Sequence, residues 1–341
     1  MNRSSHSDPF ISIRFAQKMH GIVHTQLIYV AAELGIADLL KEGRQSVTYL
    51  ASATSTIESR LYRVLRALAS IEIFVEAEPG YFENTPLAEP LRSDSPNSMR
   101  EFAVMMGAHW HASGWANILH CVRNDESAFR GIFQKDIFEH FRAHPKDAAD
   151  FDHAMTFTSR KQISAVCQAY DFSSARTIVD VGGGHGYLLT RILEAYPALS
   201  GILLDRPEVA SMARSWIKDQ NLDSRCQVME GSFFDEIPQG GDIYILKYII
   251  HDWDDEEAVR ILTNCRNAMT PGSKLLVIDA VVPTSNPSFG KTWADIEMMV
   301  MLPNGRERTE AELGMLLKEA NLRLNRIVPM RSELSIAECT A

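Results

Sequence analysis

The sequence predicts an α/β fold in which a doubly wound, mostly parallel sheet follows a mainly helical N-terminal domain. Apolar strands alternate with amphipathic helices from Thr177 onward, a pattern typical of a parallel sheet covered on both faces. A glycine-rich turn at Gly182 follows the first of these strands, whereas the preceding chain has apolar residues mainly at helical spacing. We therefore expect a helical domain over 1–100, a helical linker over 101–170 and the α/β domain over 171–341.

Short apolar runs with polar boundaries locate the elements of the C-terminal half. The predicted strands are 177–181, 201–205, 226–230, 242–247, 274–281, 326–329 and 334–338. The predicted helices are 187–196, 208–218, 255–269 and 310–320. Ligands of such sheets bind at the carboxyl ends of the strands, so distant residues should meet in one crevice. The residues expected there are Gly182, Asp205, Gly231, Lys247 and Asp279.

The N-terminal region predicts helices followed by a small hairpin. Apolar spacing indicates a helical segment over 15–40, a short helix near 47–51, a longer one over 57–70, and two strands at 73–76 and 81–83. Helix, turn, helix and hairpin is a winged-helix order. The segment 99–170 should be helical and is rich in Phe, Trp and Met.

Composition restricts the function classes. The chain has 341 residues, 45% of them hydrophobic, and a net charge of −10, which fits a soluble enzyme better than a polyanion binder. Residues 1–9 are polar and no apolar run reaches the roughly 20 residues that span a bilayer, so we expect a cytoplasmic protein without nucleic-acid or membrane partners. Scattered cysteines without C-x-x-C, and His109 and His111 on different helix faces, predict neither disulfides nor a bound metal.

The segment 178–187 is a buried strand that breaks into a glycine-rich turn. Its spacing is G-x-G-x-G, whereas the dinucleotide fingerprint would need glycine in place of Tyr187. The next strand ends at Asp205, 25 residues after Asp180, where a carboxylate can bind both hydroxyls of a ribose. An ordinary strand–helix turn is the alternative, but turn and acid together favour a nucleoside site.

The segment 245–255 begins as a strand and continues into polar residues around His251. Histidine is the natural general base near neutral pH, although a loop histidine held by hydrogen bonds is the simpler interpretation of that residue alone. Asp254 and Glu257 have the spacing of a helix N-cap and its partner acid, so we assign them a structural role. Asp279 ends the next strand and should face the same crevice.

A basic stripe offers a competing hypothesis. Arg60, Arg63 and Arg66 lie on one side of the helix predicted at 57–70, as in a DNA recognition helix. A solvated helix face explains them equally well, and the acidic chain favours that interpretation. A winged-helix DNA-binding regulator remains the alternative to an enzyme.

Several motifs in order resemble the S-adenosylmethionine-dependent O-methyltransferases of the caffeic-acid and hydroxyindole type, with bacterial relatives that modify phenazines and anthracyclines. The motifs are FDHAM at 151–155, DVGGGHG at 180–186, LDRP at 204–207, K-x-x-x-H-D-W at 247–253 and GRERT at 305–309. The resemblance extends over nearly the whole chain. It implies a Rossmann-like class I methyltransferase domain, and it implies that the winged-helix-like domain serves dimerisation.

The resemblance also implies residue roles. The expected cofactor-binding residues are Asp180, Gly182, Gly184, Gly186, Asp205, Arg206, Gly231, Ser232, Phe233, Lys247 and Trp253. His251 would be the general base, and Asp279 and Glu307 would match the two family acids that flank and orient it. The expected acceptor-pocket residues are Trp115, Phe151, Met155, Asp252, Met298 and Met299. We expect a homodimer in which helices around 10–26 interlock.

Two positions depart from the family pattern. Ser232 stands where Asp is common, so the adenine contact should differ, and Asp279 stands where Glu is usual, so its shorter arm would reach His251 only through a shift or a water. We expect methyl transfer to a hydroxyl of a small aromatic or polyketide-like molecule. The alternatives are transfer to nitrogen, and a non-methylating hydroxylase or cyclase of the same fold.

Overall fold

A computed structural model of the protein describes residues 10–341, apart from the side chains of 156–161. Residues 1–9, in which the sequence predicts no signal peptide, lie outside the described residues. The chain divides into two compact units: Met1–Ser113 with Phe141–Phe157, and Gly114–His140 with Thr158–Ala341. The domain boundaries at 100 and 170 remain predictions.

The part of the chain before the large sheet is mainly helical, as predicted. Its helices are α1 (Ile11–Met19), α2 (Gly21–Glu33), α3 (Ile36–Leu39), α4 (Val47–Ala53), α5 (Glu58–Ser70), α6 (Arg100–Gly107), α7 (His109–Ala116), α8 (Ile118–Arg123), α9 (Ala128–Phe133), α10 (Ile137–Ala143) and α11 (Pro145–Ala169). A three-stranded sheet, in the order β1-β3-β2, comprises β1 (Gln45–Ser46), β2 (Phe74–Glu78) and β3 (Tyr81–Asn84).

The segment predicted as helical over 15–40, with Gly35 interrupting it, contains part of α1 and all of α2 and α3. Its last break lies at Gly35, whose φ of 63° is left-handed and therefore suits glycine. The apolar side of α5 is buried: its residues Leu61, Leu65 and Leu68 pack into the core of this unit. The arginine stripe on the same helix is exposed. Helices and hairpin follow in the predicted order, and the winged-helix description itself remains a prediction.

The second unit contains a seven-stranded sheet in the order β6-β5-β4-β7-β8-β10-β9. The strands are β4 (Thr177–Val181), β5 (Ser200–Asp205), β6 (Cys226–Glu230), β7 (Ile243–Lys247), β8 (Lys274–Asp279), β9 (Arg323–Pro329) and β10 (Ser335–Thr340). The pairs from β6 through β8 are parallel, and β10 runs antiparallel to both of its neighbours. This is the mostly parallel, doubly wound sheet that the sequence predicts.

Helices flank this sheet, and two buried apolar clusters pack against it. The helices after β4 are α12 (Tyr187–Ala195), α13 (Pro207–Asp219), α14 (Asp255–Ala268), α15 (Phe289–Met301) and α16 (Glu310–Glu319). Asp254 caps α14 by accepting from the Glu257 N–H at 2.9 Å, which confirms its predicted structural role. Helix α15 was not predicted from the sequence. Among residues 10–341, no helix is long and apolar enough to cross a bilayer.

Candidate active site

The strand order reverses between β4 and β7 in the seven-stranded sheet. Strand β4 leads into the glycine turn, and β7 leads into the segment that contains His251. The neighbouring strands β5 and β8 end at Asp205 and Asp279. Open α/β sheets bind ligands at such a reversal, so this edge is the candidate site.

The glycine turn has the backbone geometry that its composition suggests. Gly182, Gly184 and Gly186 have φ values of 69°, 59° and 83°, in the left-handed region that glycine enters without steric cost. The Gly184 N–H donates to Asp205 Oδ2 at 2.8 Å, and the Arg206 N–H donates to Oδ1 at 2.8 Å. A carboxylate oxygen accepts more than one hydrogen bond, so Asp205 retains the capacity to bind two hydroxyls.

Asp180 and Lys247 form an electrostatic pair beside the turn. Asp180 is 2% exposed, and its Oδ2 has no hydrogen-bond partner among the described residues. Burial raises the pKa of Asp180 to about 7, against the opposing charge of Lys247. Burial likewise lowers the pKa of Lys247 to about 8, against Asp180 and Asp279. A buried carboxylate oxygen without a partner is costly, so a polar or cationic ligand group would stabilise it.

The residues expected around an adenine lie just after β6 and β7. Gly231 and Ser232 follow β6, and the Ser232 hydroxyl accepts from the Phe234 N–H at 3.1 Å, which engages it locally. Phe233 lies edge-on to Trp253, with ring centroids 5.9 Å apart. The Trp253 indole N–H is buried and unpaired within the described part of the chain. The pair of rings offers an apolar wall with one donor available.

His251 is buried and surrounded by carboxylates. Its Nδ1–H donates to Glu307 Oε1 at 2.8 Å, and Nε2 lies 3.4 Å from Asp252 Oδ1. Burial lowers the pKa of His251, but the charges of Glu307, Asp252 and Asp279 outweigh burial and raise this pKa to about 10. The bond to Glu307 fixes the tautomer in which Nε2 is the nitrogen that takes a proton.

Asp279 has a different partner from the expected one. Its Oδ1 accepts from the backbone N–H of Tyr248 at 2.9 Å, and its charge is one of those that raise the pKa of His251. Burial raises the pKa of Asp279 to about 6. The Tyr248 ring stacks on His251, with centroids 5.1 Å apart and planes inclined by 20°. Tyr248 was not among the residues predicted for the site; its place between Lys247 and the H-D-W motif was a signal that could have found it.

Arg308 is a second residue whose role was not predicted. It is 4% exposed and donates from Nη1 to the Ile250 carbonyl at 2.8 Å and from Nη2 to the Trp253 carbonyl at 2.8 Å. These carbonyls lie on either side of His251 in the chain. Arg308 also pairs with Asp255 at 2.8 Å, so the G-R-E-R-T motif holds the histidine segment through its backbone as well as through Glu307.

The expected acceptor residues are distributed over both units. In the second unit, the Trp115 indole donates to Glu297 Oε2 at 2.7 Å, and Met298 and Met299 are half-buried on α15. In the first unit, Phe151 packs against Phe141 and Trp110, with centroids 4.9 and 6.4 Å away. Met155 follows Phe151 on α11 and is half-buried. Their place in an acceptor pocket remains a prediction.

The donor set of this site fits S-adenosylmethionine. Asp205 can take ribose hydroxyls, Gly184 leaves open space within 4 Å of where a Cβ would stand, and the buried oxygens Asp180 Oδ2 and Glu307 Oε2 are without hydrogen-bond partners in the described residues. The surrounding acids suit a positively charged sulfonium and amine. Fold and site together define a methyltransferase of the class that uses this cofactor.

The chain belongs to the S-adenosylmethionine-dependent O-methyltransferase family. Residues 115–323 match the model of the O-methyltransferase domain, and 16–94 match the O-methyltransferase dimerisation domain. These matches confirm the resemblance, the cofactor class and the enzyme class inferred from the sequence motifs.

Named relatives agree with this assignment. A phenazine O-methyltransferase of Lysobacter antibioticus is 41% identical over 99% of this chain and 98% of its own. A mitomycin biosynthesis 6-O-methyltransferase of Streptomyces lavendulae is 37% identical over 91% and 89%. The crystal structure of an O-methyltransferase from neocarzinostatin biosynthesis, with S-adenosylmethionine and 2-hydroxy-5-methyl naphthoic acid, superimposes with a TM-score of 0.84 at 32% identity, covering 95% of this chain and 98% of its own.

Proposed function

We propose that this enzyme methylates a phenolic hydroxyl of a small, fused-ring aromatic natural product, with His251 as the general base. The observation that carries the proposal is the buried His251–Glu307 hydrogen bond of 2.8 Å at the strand reversal. It leaves Nε2 as the proton acceptor in a site whose family binds a methyl sulfonium. Asp252, beside Nε2, is available to orient the hydroxyl.

The chemistry requires a base and alignment. S-adenosylmethionine supplies an activated methyl group. The phenol oxygen forms a bond to the methyl carbon as the carbon–sulfur bond breaks, which gives a methyl ether and S-adenosylhomocysteine. The phenolic proton, with a pKa of about 10, passes to His251 Nε2, and Glu307 stabilises the imidazolium that forms. Base assistance of this kind contributes about 10²–10⁴-fold.

The charge of the cofactor sets the protonation state that the base needs. Without cofactor, the carboxylates of Asp252, Asp279 and Glu307 hold the pKa of His251 near 10, so the imidazole carries a proton at neutral pH. A sulfonium bound beside these acids competes for the same negative charge and lowers this pKa. We infer that a bound cofactor would favour the neutral form of His251 that a base requires.

Two observations support the acceptor class: the names of the relatives, and the aromatic and methionine side chains of the second unit. The relatives named above include a phenazine O-methyltransferase, an O-methyltransferase of mitomycin biosynthesis and one whose crystal structure holds a naphthoic acid. Trp115, Met298 and Met299 offer aromatic and polarisable surface for a flat ring system. Phe151 and Met155 remain acceptor residues predicted from the sequence alone. Transfer to nitrogen is the alternative, and it would need the base less.

A panel of acceptors tests the proposal. Purified enzyme is incubated with methyl-labelled S-adenosylmethionine and a monohydroxyphenazine, 1,4-dihydroxy-2-naphthoic acid, or the matching amino compounds, and products are identified by mass spectrometry. We expect label on oxygen and a loss of about 10²–10⁴-fold in His251→Asn. Label on nitrogen with unchanged turnover in His251→Asn would contradict the base, and no S-adenosylhomocysteine with any acceptor would contradict methyl transfer.

We also propose that the chain is a homodimer held by its N-terminal helices. Helix α1 has no buried residue in the single chain, and apolar side chains there and at the start of α2 are more than half exposed. They are Phe10, Ile11, Ile13, Phe15, Met19, Ile22 and Val23. An apolar surface of this kind indicates a protein interface, and the matched dimerisation domain supports a second copy as the partner.

A further inference from the structure

Tyr248 has an unusual backbone conformation for its residue type. It follows β7 directly, and its φ is +57°, in the left-handed region that a bulky aromatic residue rarely adopts. Such a strained conformation persists only where the surrounding contacts hold the residue in it. The surroundings of Tyr248 therefore need an explanation.

Several contacts hold the residue in place. Its N–H donates to the Ile278 carbonyl at 3.2 Å and to Asp279 Oδ1 at 2.9 Å, both at the end of β8. Its phenolic oxygen accepts from the Gln162 side chain. The Lys247 ammonium lies 4.4 Å from the centroid of its ring, at cation–π distance. Backbone and ring are thus fixed independently.

The fixed ring is the surface on which the imidazole of His251 lies. The two rings are nearly parallel, with centroids 5.1 Å apart. The Glu307 hydrogen bond restrains Nδ1 but leaves the imidazole free to tilt about that bond. A stacked ring removes this freedom, and a misplacement of 1 Å at a reacting centre can cost about 10²-fold in rate.

We propose that Tyr248 is a positioning residue that sets the ring plane of His251, and that Asp279 acts on His251 by holding the Tyr248 backbone. This inference rests on the proposed function, because it explains how the proposed base is aligned. It also explains why Asp rather than Glu stands at position 279: the shorter side chain accepts a hydrogen bond from the Tyr248 backbone N–H.

Ring substitutions test the stack. Tyr248→Phe retains the aromatic face, and Tyr248→Leu removes it. We expect kcat within about threefold of wild type for Y248F and a loss of about 10–100-fold for Y248L, with nearly unchanged KM for S-adenosylmethionine. The assay uses a monohydroxyphenazine or 1,4-dihydroxy-2-naphthoic acid, whichever wild type methylates. Equal kcat in Y248L and wild type would overturn the proposal.

Tyr244 supplies the matched control. It lies on β7, the strand that Tyr248 follows, is fully buried and donates to the Ala268 carbonyl at 2.8 Å, but it does not belong to the site. Tyr244→Leu should lower thermal stability at least as much as Tyr248→Leu while leaving kcat unchanged. If both variants lose kcat in proportion to their loss of stability, Tyr248 is structural only and the proposal fails.

Two substitutions of Asp279 separate positioning from charge. Asp279→Asn retains an oxygen that accepts from the Tyr248 N–H, whereas Asp279→Ala does not. We expect kcat in D279N to exceed kcat in D279A by about tenfold or more. Equal losses in the two variants would mean that Asp279 acts by charge, which would overturn that half of the proposal.

A readout without catalysis separates this inference from the proposed function. A stacked phenol ring shifts the imidazole proton resonances of His251 upfield, and NMR of histidine-labelled, cofactor-free protein can assign them by comparison with His251→Asn. The shift should remain in Y248F and disappear in Y248L. An inactive wild type with this pattern would refute the proposed function alone; an active wild type without it would refute the positioning role alone.

Discussion

At the residue scale, the protonation state of His251 decides whether the imidazole can act as a base. Three carboxylates raise its pKa to about 10, above the unfolded value of about 6.5. A raised folded-state pKa stabilises the protein fully below about pH 6.5, and this contribution is lost as pH rises through 10. The carboxylates that stabilise the protonated imidazole of His251 therefore oppose its action as a base until the sulfonium of the cofactor binds.

Proton release on cofactor binding should reveal this exchange. At pH 8, binding of S-adenosylmethionine should release up to about one proton, because the sulfonium lowers the pKa of an imidazolium that was charged beforehand. S-Adenosylhomocysteine lacks the sulfonium charge and should release clearly less. Calorimetry in two buffers of different ionisation enthalpy measures the count, with His251→Asn as the control. Equal release for both ligands in wild type would contradict this account.

The Glu307 carboxylate should matter through its charge. Glu307→Gln keeps the volume but removes the charge that stabilises the imidazolium, so kcat should fall by about 10²–10⁴-fold. Glu312→Gln, at the capping box of α16, is the control because Gln also serves at that position and kcat should not change. Steady-state kinetics of both variants with one acceptor makes the comparison. A kcat in E307Q near that of wild type would show that Glu307 only packs.

At the element scale, the glycine turn between β4 and α12 has a conformational role and a binding role that can be separated. Gly184 and Gly240 both have left-handed φ values, 59° and 90°, and a Cβ on either would meet nothing within 4 Å. Gly184→Ala and Gly240→Ala should therefore carry similar backbone costs of about 1–2 kcal/mol. Only Gly184 borders the expected cofactor path.

The two alanine variants should therefore differ in ligand affinity. Calorimetric titration with S-adenosylhomocysteine should give a weakening of about tenfold or more for G184A and an unchanged Kd for G240A, while thermal unfolding is lowered similarly in both. Unchanged affinity in G184A would move the cofactor away from this turn.

The sequence predicts the elements of the sheet better than the contacts between them. Strand 177–181 is confirmed residue for residue, because a continuous apolar run that ends in glycine permits few alternatives. Helix α15 was missed, since the prolines at 283 and 287 and the polar residues between them resemble a loop. Its N-cap, Ser288, accepts from the Lys291 N–H and was a signal that could have found it.

The arrangement of side chains within the site was less predictable. Placing His251 and Asp279 at one edge follows from the strand ends, whereas the place of Glu307 beside them was implied only by the family resemblance of the G-R-E-R-T motif. The choice of Tyr248 as partner of Asp279 depends on a left-handed φ at a tyrosine, which no local propensity predicts. The Arg308 contacts join carbonyls across a loop, and sequence spacing carries no information about such tertiary hydrogen bonds.

At the scale of the whole molecule, assembly should depend on α1. The double substitution Ile13→Glu and Phe15→Glu should convert the proposed dimer to a monomer, as measured by sedimentation velocity, because the two carboxylates place charge in an apolar interface. Both side chains are exposed in the single chain, so its fold should survive. Met315→Glu, at an exposed apolar side chain on α16, is the control and should remain dimeric. A double variant that sediments as wild type does would exclude α1 from the interface.

The dependence of rate on acceptor acidity tests the central claim most directly. Methyl transfer to a series of substituted phenols or hydroxynaphthalenes of graded pKa is measured in single turnover for wild type and His251→Asn. If His251 takes the proton, the variant should lose about 10²–10⁴-fold with weakly acidic acceptors and progressively less with acceptors that are already ionised. A constant loss across the series, or none, would contradict the assignment of His251 as the general base.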